Sequence, residues 1–291
     1  MEKIINATEY TYTGMRKSIY ALKEKYDFLE SFNIGQSCMG RDIPALKIGS
    51  GPYCLLTGGF WGDDVKSANI LLMLTEEMCR CLKGNLPFCG VDLNKALKGR
   101  GIIIVPRVNP DGVEISLCGA AAAGSTANEI RKLLKNSDKW RANLRGVQID
   151  CNFSSGWYGL KETLNAQGIF APRPMGYMGP FPESEPETVA LISLAQKYNI
   201  KHSLSFFGGD GVIYWQYGEK SVKNSEKMVS LLSRYSGYRA TPVGSNSKGG
   251  GFKDWFIESL DRPAFNIHLE SGEAAELYEN LRKMLLVSVL M

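Results

Sequence analysis

The chain has 291 residues, of which 44% are apolar, so it can bury a large core, and no Pro, Gly or Ser-rich stretch divides it; residues 1–291 read as one domain. A net charge of +4, dispersed along the chain, excludes the concentrated basic surface that nucleic acid or an anionic membrane requires. The opening MEKIINATEYTYTG has no apolar core behind a basic start, and no apolar run is long enough to span a bilayer; the seven cysteines are odd in number and lack framework spacing. These features predict a cytoplasmic protein with reduced thiols.

In chain order, 53–58 and 101–106 are short apolar strands, and 65–83 between them carries apolar residues at three and four spacing. This predicts a strand, helix, strand unit. Cys79 and Cys81, two apart on that helix, point to different faces, so they do not form a metal clip with Cys89. The Ala120 to Ala123 run belongs to a surface insertion. Ser184-Glu185-Pro186-Glu187 supplies a cap, an early proline and a glutamate three residues after the cap, which predicts a helix to about Tyr198. Strands follow at 203–207 and 212–215, then a helix over 222–235, a short helix over 254–260, a strand over 264–269 and a closing helix from Glu273. The alternation predicts an α/β fold in three layers, with helices on both faces of a mostly parallel mixed sheet. In such sheets ligands gather at the carboxyl ends of the strands, so the residues after Gly58, Pro106, Phe207 and Leu269 are the candidates.

Several segments in those places form a family pattern. Ile34-Gly-Gln-Ser-Cys-Met-Gly-Arg41, Asn109-Pro-Asp-Gly112, Trp140 to Val147, Pro182 to Thr188, Val212 to Trp215 and Asp254-Trp255 resemble, in order and spacing, the M14 zinc carboxypeptidases. The resemblance implies a peptidase fold, a peptide substrate and a catalytic zinc held by a His-x-x-Glu pair and a distant His. At the matching positions this sequence has Trp61, Asp64 and Phe207. One oxygen ligand of three does not retain zinc, so no metal and no cofactor are expected. His268 falls where the family has its glutamate base, and Asp150 and Cys151 fall where it has the Asn-Arg pair that grips a terminal carboxylate. Asn246 falls nearest the tyrosine that caps the substrate, and Arg141 is similar to the arginine that stabilises the oxyanion.

Plain structural roles stand beside these. Trp61 and Phe207 fill the space an ion would take, Asp64 caps the following helix, and Arg141 makes a salt bridge near the surface. His268, Asn266 and Glu270 alternate along one strand, either as a satisfied polar ladder or as a functional cluster. The sequence thus points to a catalytically silent pseudo-peptidase that binds a peptide, a cell-wall fragment or an active partner protein, and no nucleic acid or membrane. The alternatives are an active hydrolase of the family, with Asp64, His268 and Glu270 holding the metal, or rebuilt chemistry with Cys151 as nucleophile and His268 as base.

Overall fold

A computed structural model describes residues 3–135, 137–220, 222–241 and 249–291. Helix α1 (Tyr12–Lys25), capped by the Thr11 side chain, leads into the hairpin β1 (Glu30–Gln36) and β2 (Asp42–Gly49). The expected strand, helix, strand unit follows as β3 (Tyr53–Thr57), α2 (Lys66–Gly84), the short α3 (Leu93–Ala96) and β4 (Gly101–Val105). Helices α4 (Pro110–Cys118), α5 (Ala127–Leu134) and α6 (Trp157–Ala166) occupy the long stretch before α7 (Pro186–Lys197). The remainder is β5 (Ile200–Gly208), β6 (Val212–Tyr214), α8 (Ser225–Ser236), β7 (Arg239–Thr241), α9 (Phe252–Leu260), β8 (Ala264–Leu269) and α10 (Ala274–Leu290).

Several helix starts differ from expectation: α8 begins at Ser225 rather than at 222 and α9 at Phe252 rather than at 254, and α7 and α2 differ in their caps. The α7 cap position is Glu185 rather than Ser184, and the Ser184 hydroxyl donates instead to the Glu185 carboxylate at 2.8 Å. The backbone N–H of Glu185 is taken by the Asn152 side chain, which places the chain for the helix without a serine cap. Helix α2 starts at Lys66, one residue later than the apolar pattern, and is capped from outside by Asp64.

The described strands form one sheet in the order β1-β2-β4-β3-β5-β8-β6-β7. Its centre, β4-β3-β5-β8, is parallel, and antiparallel pairs join β1 to β2, β2 to β4 and β6 to β8. Strand alternation divides the core. Leu56, Ile102, Ile104, Phe206 and Ile267 pack with α2, α8 and α10, whereas Leu55, Ile103, Val105 and Phe207 pack with α7 and α9. This gives three layers. The chain runs from β3 to β4 on one side and later returns to β5 on the other side of β3, so the crevice beyond the carboxyl ends of β3 and β5 lies at a topological switch point.

Candidate functional site

The turn after β3 is tied to two other loops by the Asn109 side chain. Asn109, at the cap of α4, accepts from Gly112 N at 2.9 Å, and its amide nitrogen donates to Phe60 O at 3.0 Å and Ala142 O at 3.1 Å. One asparagine therefore clamps the loop of Trp61 to the loop of Arg141. Gly62 sits in the tightest part, where a Cβ would lie 2.4 Å from Trp140 O and 2.5 Å from Gly112 O, so no other residue fits.

Trp61, Phe207 and His268 meet in this crevice. Phe207 is the next-to-last residue of β5 and lies beside its register partner His268 on β8. The Trp61 ring lies 5.1 Å from Phe207 and meets the His268 ring edge-on at 5.8 Å, with Phe207 and His268 at 5.4 Å. Tyr214 closes the other side, 4.9 Å from His268. The chain passes so close above His268 that a Cβ on Gly209 would lie 2.6 Å from the histidine Cβ. Burial among these rings, aided by the Arg141 cation, lowers the imidazole pKa to about 4 against the opposing pull of Asp210. At neutral pH the ring is uncharged and a weak base.

Arg141 covers Trp61. Its guanidinium carbon is 4.0 Å from the centre of the indole, and Nε donates to Asp63 Oδ2 at 3.1 Å. Asp150 lies in the short turn Ile149–Cys151 beside Trp61, Gln148 and Arg141. Burial raises its pKa, while the nearby indole N–H and Gln148 favour the ionised form. Neither the indole Nε1 nor Asp150 Oδ1 reaches hydrogen-bond geometry, and both are enclosed without a partner. The Cys151 thiol lies 3.6 Å from the Gln148 amide nitrogen.

The other sequence candidates lie elsewhere. Asp64 turns away from the rings: Oδ1 accepts from Ser67 N at 3.3 Å, Oδ2 is buried without a partner, and burial raises its pKa to about 6. Glu270 does not extend a ladder from His268 and Asn266. Strand β8 ends at Leu269, the chain turns, and Glu270 is exposed with its N–H on the Tyr238 hydroxyl at 3.2 Å. Asn266 remains in the strand, but its Oδ1 is buried without a partner, so that ladder is not satisfied. Asn246 lies outside the described residues. Asp63, Gln148 and Tyr214 were not legible as site residues, because each contributes through a contact that no spacing in the sequence announces.

A second polar cluster ties the motif segments together. The buried Asp111 carboxylate accepts from Ser37 Oγ at 2.8 Å, Met39 N at 2.8 Å and Arg41 Nη1 at 2.6 Å. The Asn143 amide nitrogen reaches Glu185 at 2.7 Å, Glu187 at 3.3 Å and Cys38 Sγ at 3.5 Å. Among the described residues, Cys38, Asp111 and Glu187 form the group whose ligand atoms lie close enough to share a metal ion, within 4.8 Å of one another. The Asn143 oxygen, however, accepts from Arg145 N at 2.9 Å and Val147 N at 3.1 Å, which holds its N–H groups against two members of the group, Glu187 and Cys38. Hydrogen bonds thus account for the cluster. Burial pushes the Glu187 carboxyl up to about 7 and raises the Cys38 thiol as well.

The sequence profile of the zinc carboxypeptidase family matches residues 15–284. The chain is 30% identical over 275 residues to a gamma-D-glutamyl-L-diamino acid endopeptidase of Lysinibacillus sphaericus, covering 93% of this chain and 68% of the relative. In fold it is similar to bovine thrombin-activatable fibrinolysis inhibitor in complex with a tick carboxypeptidase inhibitor, with a TM-score of 0.71, 19% identity and coverage of 97% and 98% of the two chains. A murein-tripeptide amidase of Escherichia coli O157 aligns with a TM-score of 0.55 at 18% identity, covering 89% of this chain and 91% of its own. No helix among the described residues is long and apolar enough to cross a membrane. With the profile matching nearly end to end, the chain belongs to the zinc carboxypeptidase family.

Proposed function

We propose that this chain is a catalytically silent member of its family that uses the crevice at the ends of β3, β5 and β8 to bind a peptide. The observation that carries this reading is the contact of Trp61 with Phe207, 5.1 Å between ring centres, at the two places where the family pattern has histidine ligands. A zinc needs lone pairs. The indole nitrogen carries a proton and the phenyl ring offers none, while the remaining carboxylate, Asp64, faces the start of α2. The residues present do not fit the metal.

The rebuilt alternative, with Cys151 attacking and His268 as base, asks for an imidazole that takes up a proton near neutral pH. Burial in the aromatic box works against this, since a pKa of about 4 leaves the ring a poor acceptor. The relatives suggest the ligand class: one is named for gamma-D-glutamyl-L-diamino acid bonds and another for murein tripeptide, so short wall-type peptides are the first ligands to try. The seven cysteines, none in a disulfide, support a reducing, cytoplasmic setting. The test is incubation of the folded protein with such peptides, with and without added zinc, followed by mass spectrometry. Bound but intact peptide supports the reading. Cleavage by the unmodified protein overturns it.

A further inference from the structure

A second hollow, of about 520 Å³, lies between α5 and the loop that runs from α6 towards α7. Leu133, Phe170, Pro172 and Met175 give it apolar walls, and Lys132 and Arg173 line it from the helix and from the loop. Phe170 is 72% exposed, an unusual cost for a large apolar ring unless something covers it. The loop is held in place by its backbone. Arg173 N donates to Gly146 O at 3.2 Å, Pro174 O accepts from Arg141 N at 2.8 Å and from Ala142 N at 3.0 Å, and Gly176 N donates to Gln148 Oε1 at 2.8 Å. Pro172 and Pro174 restrict the same stretch further, so the hollow is preformed.

Its charge is one-sided. The chain around the lining residues carries Arg131, Lys132, Lys135, Lys139 and Arg173, against the exposed Glu129 and Asp138. Among the described residues none of these cations is in an ion pair, and Arg131 donates instead to the Asn128 side chain at 2.6 Å. The carbonyl end of α5 favours Arg131 and Lys132 in its last turn, but it does not account for Lys139 or Arg173.

We propose that this hollow docks an acidic segment of a partner protein, with an aromatic side chain on the apolar walls and carboxylates on either side of it against Lys132 and Arg173. Phe170 offers a ring and Met175 a thioether, both of which suit an aromatic anchor, and the unpaired cations supply the complementary charge. The apolar walls favour a protein segment over a nucleic acid, which would be held through its phosphates. The inference goes beyond peptide binding in the crevice and does not depend on it. The two places meet only through the loop backbone that Arg141, Ala142 and Gln148 hold.

The test is fluorescence anisotropy of labelled probes titrated with the whole chain. The probes are acetyl-Asp-Glu-Phe-Glu-Asp-amide, the same peptide with alanine for phenylalanine, its uncharged Asn-Gln-Phe-Gln-Asn counterpart, and a short oligothymidylate of equal charge. The acidic aromatic peptide should bind about tenfold tighter than either peptide control and no more weakly than the oligonucleotide. Its affinity should fall severalfold between about 0.05 and 0.5 M salt. Lys132→Glu with Arg173→Glu should abolish the preference, and Phe170→Ala should weaken binding about fivefold, each with an unchanged circular dichroism spectrum. If the double variant does not fold, Arg173→Gln serves in its place. Equal binding of the three peptides, or a preference that survives the charge reversal, overturns the proposal. Tighter binding of the oligonucleotide overturns it in favour of nucleic acid. Sedimentation showing a dimer that Arg173→Glu dissolves would put a second copy of this chain on the surface and contradict the choice of partner.

Discussion

The rings of Trp61 and Phe207 lie 5.1 Å apart at an angle of 54°, and Phe207 stacks in turn on Phe60 at 5.2 Å. Phe207 is only 2% exposed, so the ring belongs to the core beneath the crevice as much as to the crevice itself. Phe207→Ala should therefore destabilise the fold by about 3–5 kcal/mol, the range for a buried aromatic truncated to alanine. Urea unfolding measures this. A loss below about 1 kcal/mol would mean that the ring packs loosely and that the space is available to a ligand.

Both histidines, His202 and His268, are held by burial at a pKa of about 4. In the unfolded chain each returns to about 6.5. Because the folded values are lower, their contribution to stability is complete above about pH 6.5 and is lost as pH falls towards 4. Proton NMR of the imidazole rings should show neither protonating between pH 8 and 5. A His268 resonance that titrates near pH 7 would restore it as a candidate base.

Glu187 works in the opposite sense. Burial raises its pKa to about 7, so the folded state holds the proton more tightly than the unfolded state does. The stabilisation is fully present below the unfolded value of about 4.3 and is lost as pH rises through 7, with a slope of at most about 1.4 kcal/mol per pH unit. The buried Asp64 acts with the same sign up to about pH 6, so the informative quantity is a difference. Glu187→Gln should show a flatter stability profile than the unmodified chain between about pH 4.3 and 7. Parallel profiles would place Glu187 outside the buried cluster.

The sheet and its main helices were legible because β3 and β4 are apolar runs bounded by glycine or proline, β5 closes on Phe206-Phe207-Gly208, β8 follows Pro263, and α2, α7 and α10 carry helical spacing; the start of β5 at Ile200, three residues before the expected 203, was hidden by Lys201 and His202. The short β7, Arg239–Thr241, has no apolar pattern of its own and exists through pairing with β6. In the crevice, the meeting of Trp61, Phe207 and His268 could be anticipated from strand ends, since all three sit at or just beyond them. The role of Asp63 could not. It is set by the direction in which Arg141 leaves its loop, and that direction depends on Pro174 O, which accepts from Arg141 N at 2.8 Å across a long stretch of chain. Glu270 was placed on the wrong side because alternation was carried one residue past the true end of β8.

The most direct test of the account is calorimetric titration of zinc into the unmodified chain and into the variant carrying Trp61→His, Asp64→Glu and Phe207→His. The unmodified chain should show no zinc uptake tighter than about micromolar, and the variant should take up one ion per chain. It should still leave peptides intact, since the buried, uncharged His268 is a weak base and Asp150 adds an acidic group beside the rings. Tight uptake of one zinc by the unmodified chain, lost in Asp64→Ala and accompanied by peptide cleavage that a chelator abolishes, would contradict the claim that this member of the family is silent.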